Sequence, residues 1–113
     1  MIKIYHNPRC STSRAGLEYL KATGKDFEVV KYMENVPTAN ELRYLINALA
    51  MRPIDLIRKK ESVWKENFLG KTLSDEALVQ AMLKYPKLIE RPIVINGNKA
   101  VIGRPTERIA EIL

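Results

Sequence analysis

A chain of 113 residues with 46% hydrophobic and 28% charged side chains can build one packed core and is too short for two. No apolar run approaches the ~18 residues of a bilayer span, and the first residues lack the basic-then-apolar pattern of a signal peptide. A single cysteine excludes an internal disulfide, and one histidine beside it gives no metal-ligating cluster, so no metal and a reducing, cytoplasmic setting are expected. The net charge of +6 is spread along the chain, with only one Trp, five Tyr and two Phe to stack on bases. Spread charge of this kind is a solvated surface suited to a small anion or an acidic partner; neither nucleic acid nor membrane is an expected partner.

Taken in order, Ile2 to Tyr5 predicts a strand and Ser11 to Ala22 a helix, with Leu17 and Leu20 on one face and Gly24 as its stop. Phe27 to Tyr32 is β-branched and aromatic enough for a second strand. Two strands joined through one helix imply a parallel pair with a right-handed crossover. Thr38-Ala39-Asn40-Glu41 is a capping box. The helix it opens carries Leu42, Leu45, Ile46 and Leu49 at the spacing of one buried face. Arg52-Pro53 interrupts, and Pro53 to Ile57 predicts a short helix. The polar stretch Lys59 to Lys71 has Trp64, Phe68 and Leu69 as its expected anchors. Ser74 caps a further helix with Asp75 and Glu76 in its first turn, Leu78, Ala81 and Met82 facing inward, and Tyr85-Pro86 at its end. Pro92 to Ile95 and Lys99 to Ile102 flank Asn96-Gly97-Asn98, a strong hairpin signal, and Pro105 and Thr106 open a last helix through Ile109, Ile112 and Leu113. The order predicts an α/β, thioredoxin-like four-stranded mixed sheet (strand-helix-strand, then hairpin-helix) with a helical insertion in the middle, within one domain, residues 1–113.

The stretch with chemistry in it is Tyr5 to Arg14. It places Cys10 on a tight strand-to-helix turn, at or just before the first helical residue. A helix N-terminus leaves backbone N–H groups without intrahelical partners and carries roughly half a positive charge, which stabilises a thiolate and also attracts anions. A lone cysteine is more often a small core residue. Cys10, however, is set among Asn, Pro, Arg, Ser and Thr and has no core to join. Ser11, Thr12 and Ser13 add hydroxyls that either meet the thiolate or an anion or cap the helix. Asn7 and Pro8 shape the turn, and Arg14 is an added charge or simply part of the helix surface.

His6-Asn7-Pro8-Arg9-Cys10-Ser11-Thr12-Ser13-Arg14 resembles the active-site loop of the glutaredoxin-linked arsenate reductases (ArsC-like), His-Asn-Pro-x-Cys-x-Thr-Ser-Arg, at every fixed position. Leu56-Ile57-Arg58, Glu90-Arg91-Pro92-Ile93-Val94 and Gly103-Arg104-Pro105 are similar to the family's other signature segments, in the same order. The resemblance covers essentially the whole chain. It departs at Arg9, where the family often has a smaller residue.

The resemblance implies an enzyme that reduces arsenate to arsenite through the Cys10 thiolate, with no tightly bound cofactor and with glutathione and then glutaredoxin as thiol donors. It implies that Arg58, Arg91 and Arg104 bind the oxyanion, a task suited to the guanidinium fork. By analogy with thioredoxin-like folds, Pro92 would be cis and Arg91 would face Cys10. His6 would act on the thiol through positive charge or hydrogen-bond the loop. Where a dithiol glutaredoxin has its second cysteine this chain has Ser13, so the second thiol must come from outside. Two other readings keep the thiol: a monothiol oxidoreductase of the same type acting on another electrophile, and an Spx-type transcription regulator, whose Cys-x-x-Cys pair Ser13 interrupts.

Overall fold

The first strand, β1 (Ile2–Tyr5), buries Ile2, Ile4 and Tyr5 because it has a strand on either side. In the computed structural model, which describes Met1 to Leu113, the four strands lie in the order β2-β1-β3-β4. The second strand, β2 (Phe27–Val30), runs parallel to β1, with Tyr5 opposite Val30. On the other side β3 (Ile93–Asn96) runs antiparallel to β1, and β4 (Lys99–Ile102) closes a hairpin with it around Gly97, whose φ of 64° suits a residue without a Cβ. The sheet is therefore mixed and thioredoxin-like, as the element order predicts.

Helix α1 (Ser11–Thr23) follows β1 and ends at Gly24, where φ is 73°. Its Leu20 joins Ile2, Ile4, Val94, Val101, Ile109 and Ile112 in one apolar cluster. Burying a side chain such as Ile4, which is 0% exposed, stabilises the fold by about 1.5–3 kcal/mol. The predicted last helix is a 3₁₀ helix, Thr106–Ile112, rather than an α-helix. Its two buried residues, Ile109 and Ile112, are three apart, and three residues per turn stacks them on one face. The second strand is shorter than predicted. It stops at Val30 because the Lys31 carbonyl accepts the N–H groups of Glu34 and Asn35, at 3.0 and 2.9 Å, and turns the chain.

The chain divides into two compact units, Met1–Asn35 with Arg91–Leu113, and Val36–Glu90. The second holds the helical insertion: α2 (Ala39–Leu49), α3 (Ser62–Asn67) and α4 (Asp75–Lys84), with 3₁₀ turns at Pro53–Leu56 and Pro86–Leu88. The Thr38/Glu41 capping box opens α2 as predicted, and the Ser74 hydroxyl accepts the Ala77 N–H to open α4. Leu42, Leu45 and Ile46 of α2, and Leu78, Ala81 and Met82 of α4, are buried, joined in α4 by Val79. Trp64 is buried and stacks on Phe68 at 5.4 Å between ring centroids. Leu69, expected as a third anchor, is 68% exposed, because the chain leaves the helix there for the Gly70 turn. No helix is long and apolar enough to cross a membrane.

Candidate active site

Cys10 is the N-cap residue of α1, in extended conformation, and is partly buried. The loop before it is held at several points by short-range bonds. Cys10 N–H donates to the Asn7 carbonyl at 3.0 Å, and Arg9 N–H donates to Asn7 Oδ1 at 3.0 Å, so Asn7 supplies both acceptors of the turn. Ser13, fully buried in the first turn of α1, accepts the Asn7 N–H on its Oγ at 3.0 Å. The same Oγ lies 2.7 Å from Nδ1 of His6, which is itself buried. Arg14 Nη1 donates to the Pro8 carbonyl at 2.8 Å. The loop thus folds back onto the first turn of the helix it precedes.

Two arginines from the far end of the chain reach the sulfur. Arg91 hydrogen-bonds the Cys10 thiol with its side chain. Arg104 Nη2 lies 3.4 Å from Sγ, while its Nε donates to the Arg91 carbonyl at 2.8 Å. The Arg91–Pro92 peptide bond is cis, and so is Arg104–Pro105. Pro92 is buried against two glycines: a Cβ built on Gly16 would lie 2.9 Å from Pro92 Cγ, and one on Gly103 would lie 3.0 Å from it. A side chain at Gly16 would force a shift against Pro92, and one at Gly103 would crowd the same ring.

Burial is the largest influence on Cys10 and opposes its ionisation. The Arg91 hydrogen bond, the Ser13 N–H, the Arg91 charge and the Thr12 N–H outweigh it, and the thiol ionises below its ordinary value. His6 is pushed the other way for a base. Burial, and then the charge of Lys31, disfavour its protonation; a hydrogen bond to Ser13 opposes them, and Arg14 and Lys21 add to them. The His6 pKa is therefore lowered from the ordinary imidazole value, which favours the neutral ring. Of the two roles open to it, the geometry provides the hydrogen bond to the loop. The Ser13 hydroxyl thus accepts the Asn7 N–H and shares a hydrogen bond with His6 Nδ1.

The structure therefore brings together His6, Asn7, Cys10, Thr12, Ser13, Arg91 and Arg104. Thr12 contributes its backbone N–H, and so does Ser13, whose hydroxyl is committed to the loop. Arg58 belongs to the Val36–Glu90 unit. There Ile57 bridges Ile89 in antiparallel fashion, Arg58 N–H donates to the Leu88 carbonyl at 2.8 Å, and Glu90 N–H donates to that of Leu56 at 3.0 Å. This short ladder sets Arg58 Nη1 2.7 Å from Glu90 Oε1, and Glu61 Oε2 lies 3.4 Å from its Nε. Burial works against the Arg58 charge, but the two carboxylates prevail and raise its pKa. Sequence reasoning overlooked Arg14 as a clamp on Pro8 and Lys31 as a charge acting on His6. The second was open to discovery: parallel pairing of Tyr5 with Val30 puts their successors, His6 and Lys31, side by side. No three His, Cys, Asp or Glu side chains form a metal cage.

A strand-to-helix thiol, a cis proline and a mixed four-stranded sheet define a thioredoxin-like thiol protein. The ArsC family model matches residues 5–112, and the chain belongs to the ArsC family. It is 51% identical to the uncharacterized protein YfgD of Escherichia coli, over 99% of this chain and 96% of that one. It is 43% identical to an arsenate reductase of Neisseria meningitidis, over 99% of this chain and 97% of the relative. Among solved structures, the arsenate reductase from Vibrio cholerae superposes with a TM-score of 0.94 at 46% identity, covering 99% of this chain and 97% of that one.

Proposed function

We propose that the protein is an oxidoreductase that reduces arsenate to arsenite through Cys10, with glutathione and glutaredoxin as thiol donors. The observation that carries this reading is the convergence of Arg91 and Arg104 on the sulfur of a thiol whose ionisation is favoured. A thiolate is the attacking species, and arginines beside it hold a doubly charged tetrahedral anion within reach. The arsenate reductases among its relatives supply the substrate.

The thiolate attacks arsenic, a sulfur–arsenic bond forms, and an arsenate oxygen leaves as water after protonation. Arsenic is still pentavalent in this adduct. Glutathione thiolate then attacks the Cys10 sulfur; a disulfide forms, the sulfur–arsenic bond breaks, and its electron pair stays on arsenic, giving arsenite. A glutaredoxin thiolate takes the glutathionyl group and frees Cys10. Two external thiols are consumed because the chain has no second cysteine. Arg91 and Arg104 hold the oxyanion, and Arg58 is assigned the same task from the matching segment. The fold and the single thiol suit a cytoplasmic enzyme that keeps its cysteine reduced.

The test is NADPH consumption in the presence of glutathione, glutathione reductase and glutaredoxin, with and without arsenate. Arsenate-dependent turnover that disappears in Cys10→Ser supports the assignment. Absence of turnover, with Cys10 still titrating below an ordinary thiol, removes arsenate as the substrate.

A further inference from the structure

Arg9, Arg14 and Lys31 are all exposed, and all three belong to the Cys10 loop or adjoin it. Arg9 immediately precedes the cysteine, and its backbone is pinned by Asn7 Oδ1, so its side chain leaves the turn from a held position. Arg14 is one helical turn beyond Cys10, with Nη1 on the Pro8 carbonyl and its remaining donors open to solvent. Lys31 follows Val30, whose carbonyl accepts the His6 N–H at 2.9 Å, which brings the end of β2 beside the loop. The charges of Lys31 and Arg14, with Lys21, act on His6. None of the three side chains is paired with a carboxylate.

We propose that Arg9, Arg14 and Lys31 form a cationic rim that receives the carboxylates of the incoming thiol, and that Arg9 is the residue that makes Cys10 prefer an anionic thiol to a neutral or cationic one. The inference rests on the reading of Cys10 as a thiol that must be regenerated by an external one. Once the cysteine is oxidised its own negative charge is gone, and the rim is left to attract an anion. Glutathione carries two carboxylates and one ammonium group and fits this demand. A surface of one sign beside a reacting group raises the encounter rate of the opposite sign by about ten-fold or more, and salt weakens the effect.

The test isolates the second half of the cycle and contains no arsenate. Cys10 is converted to its mixed disulfide with 2-thiopyridine. An incoming thiolate attacks the Cys10 sulfur, a new disulfide forms, and pyridine-2-thione leaves and is followed by its absorbance. Rates are compared for glutathione, 2-mercaptoethanol and cysteamine, each corrected for its thiolate fraction. The expected order is glutathione first and cysteamine last, with the spread narrowing in high salt. In Arg9→Glu the glutathione rate should fall about five-fold or more while the 2-mercaptoethanol rate changes less than about two-fold. Lys31→Glu should act in the same direction more weakly. Equal losses for glutathione and 2-mercaptoethanol, or no change for either, would overturn the proposal. Retained discrimination in a protein that fails to turn over arsenate would leave the rim in place and remove only the substrate assignment.

Discussion

Three arginines were singled out by one argument, yet they meet different partners in the two units. Arg91 and Arg104 direct donors at the Cys10 sulfur, and Arg104 is braced on the Arg91 carbonyl. Arg58 gives Nη1 to Glu90 and Nε to Glu61. A guanidinium on a thiol favours the ionised, reactive sulfur. One held between two carboxylates has its charge answered by groups that never leave, and its plane is set in place. The same residue type therefore tunes chemistry in one region and ties chain segments together in the other. A part in oxyanion binding for Arg58 requires its remaining donors, not those already spent on Glu61 and Glu90.

The comparison is broken most directly at Arg91. Arg91→Met removes a charge-assisted bond worth about 1.5–3 kcal/mol, so kcat/KM for arsenate should fall about 10- to 100-fold. The pH profile of Cys10 alkylation by iodoacetamide should shift upward in the same variant. An unshifted profile would show that Arg91 does not hold the thiolate. For Arg58→Ala a smaller loss is expected, about ten-fold in KM for arsenate with the alkylation profile unchanged. A lower melting temperature with KM intact would make Arg58 purely a tie between segments.

Glu90→Gln sharpens the contrast from the other side. Both partners are mostly buried, with side-chain exposures of 20% and 26%, and loss of the ion pair should cost about 1 kcal/mol in denaturant unfolding. The Cys10 profile should again stay put. The smallest effect concerns His6. Its folded pKa lies below 6.5, so the unfolded chain binds more protons as pH falls, and stability conferred by the neutral ring is present above pH 6.5 and lost as pH drops through the folded value. His6→Gln should flatten that acid limb of the stability curve, measured by urea midpoint from pH 7 to pH 5. An unchanged limb would place the acid sensitivity elsewhere.

What could be read in advance follows distance along the chain. The Thr38/Glu41 capping box, the Gly24 stop, the Asn96-Gly97-Asn98 turn and the Cys10 N-cap are all codes written within four or so residues, and each is found in the structure. The parallel pairing of β1 with β2 was also legible, because connection rules leave little choice. Leu69 misled because an apolar residue beside a polar helix suggests an anchor, while burial is decided by where the chain turns. The form of the last helix escaped because Ile109 and Ile112 satisfy an α-helical and a 3₁₀ spacing equally well. At the site, Glu61 lies three residues from Arg58 and was within reach of inspection, whereas Glu90 is 32 residues away and only the fold introduces it. Ser13 is the subtlest case. Its position, three beyond Cys10, drew attention to the sulfur, but the hydroxyl faces His6 and Asn7.

Ser13 also bears on how such a chain could be made self-sufficient. Substituting cysteine there would write the dithiol motif into the sequence, but the new sulfur would inherit a site with no solvent exposure, facing an imidazole and a peptide N–H. Sulfur is a poor substitute for oxygen in both contacts, so the loop would lose two of its fastenings before it gained a disulfide partner. In this chain the position three beyond the nucleophile fastens the loop, and Ser13→Cys would trade two of those contacts for a second thiol.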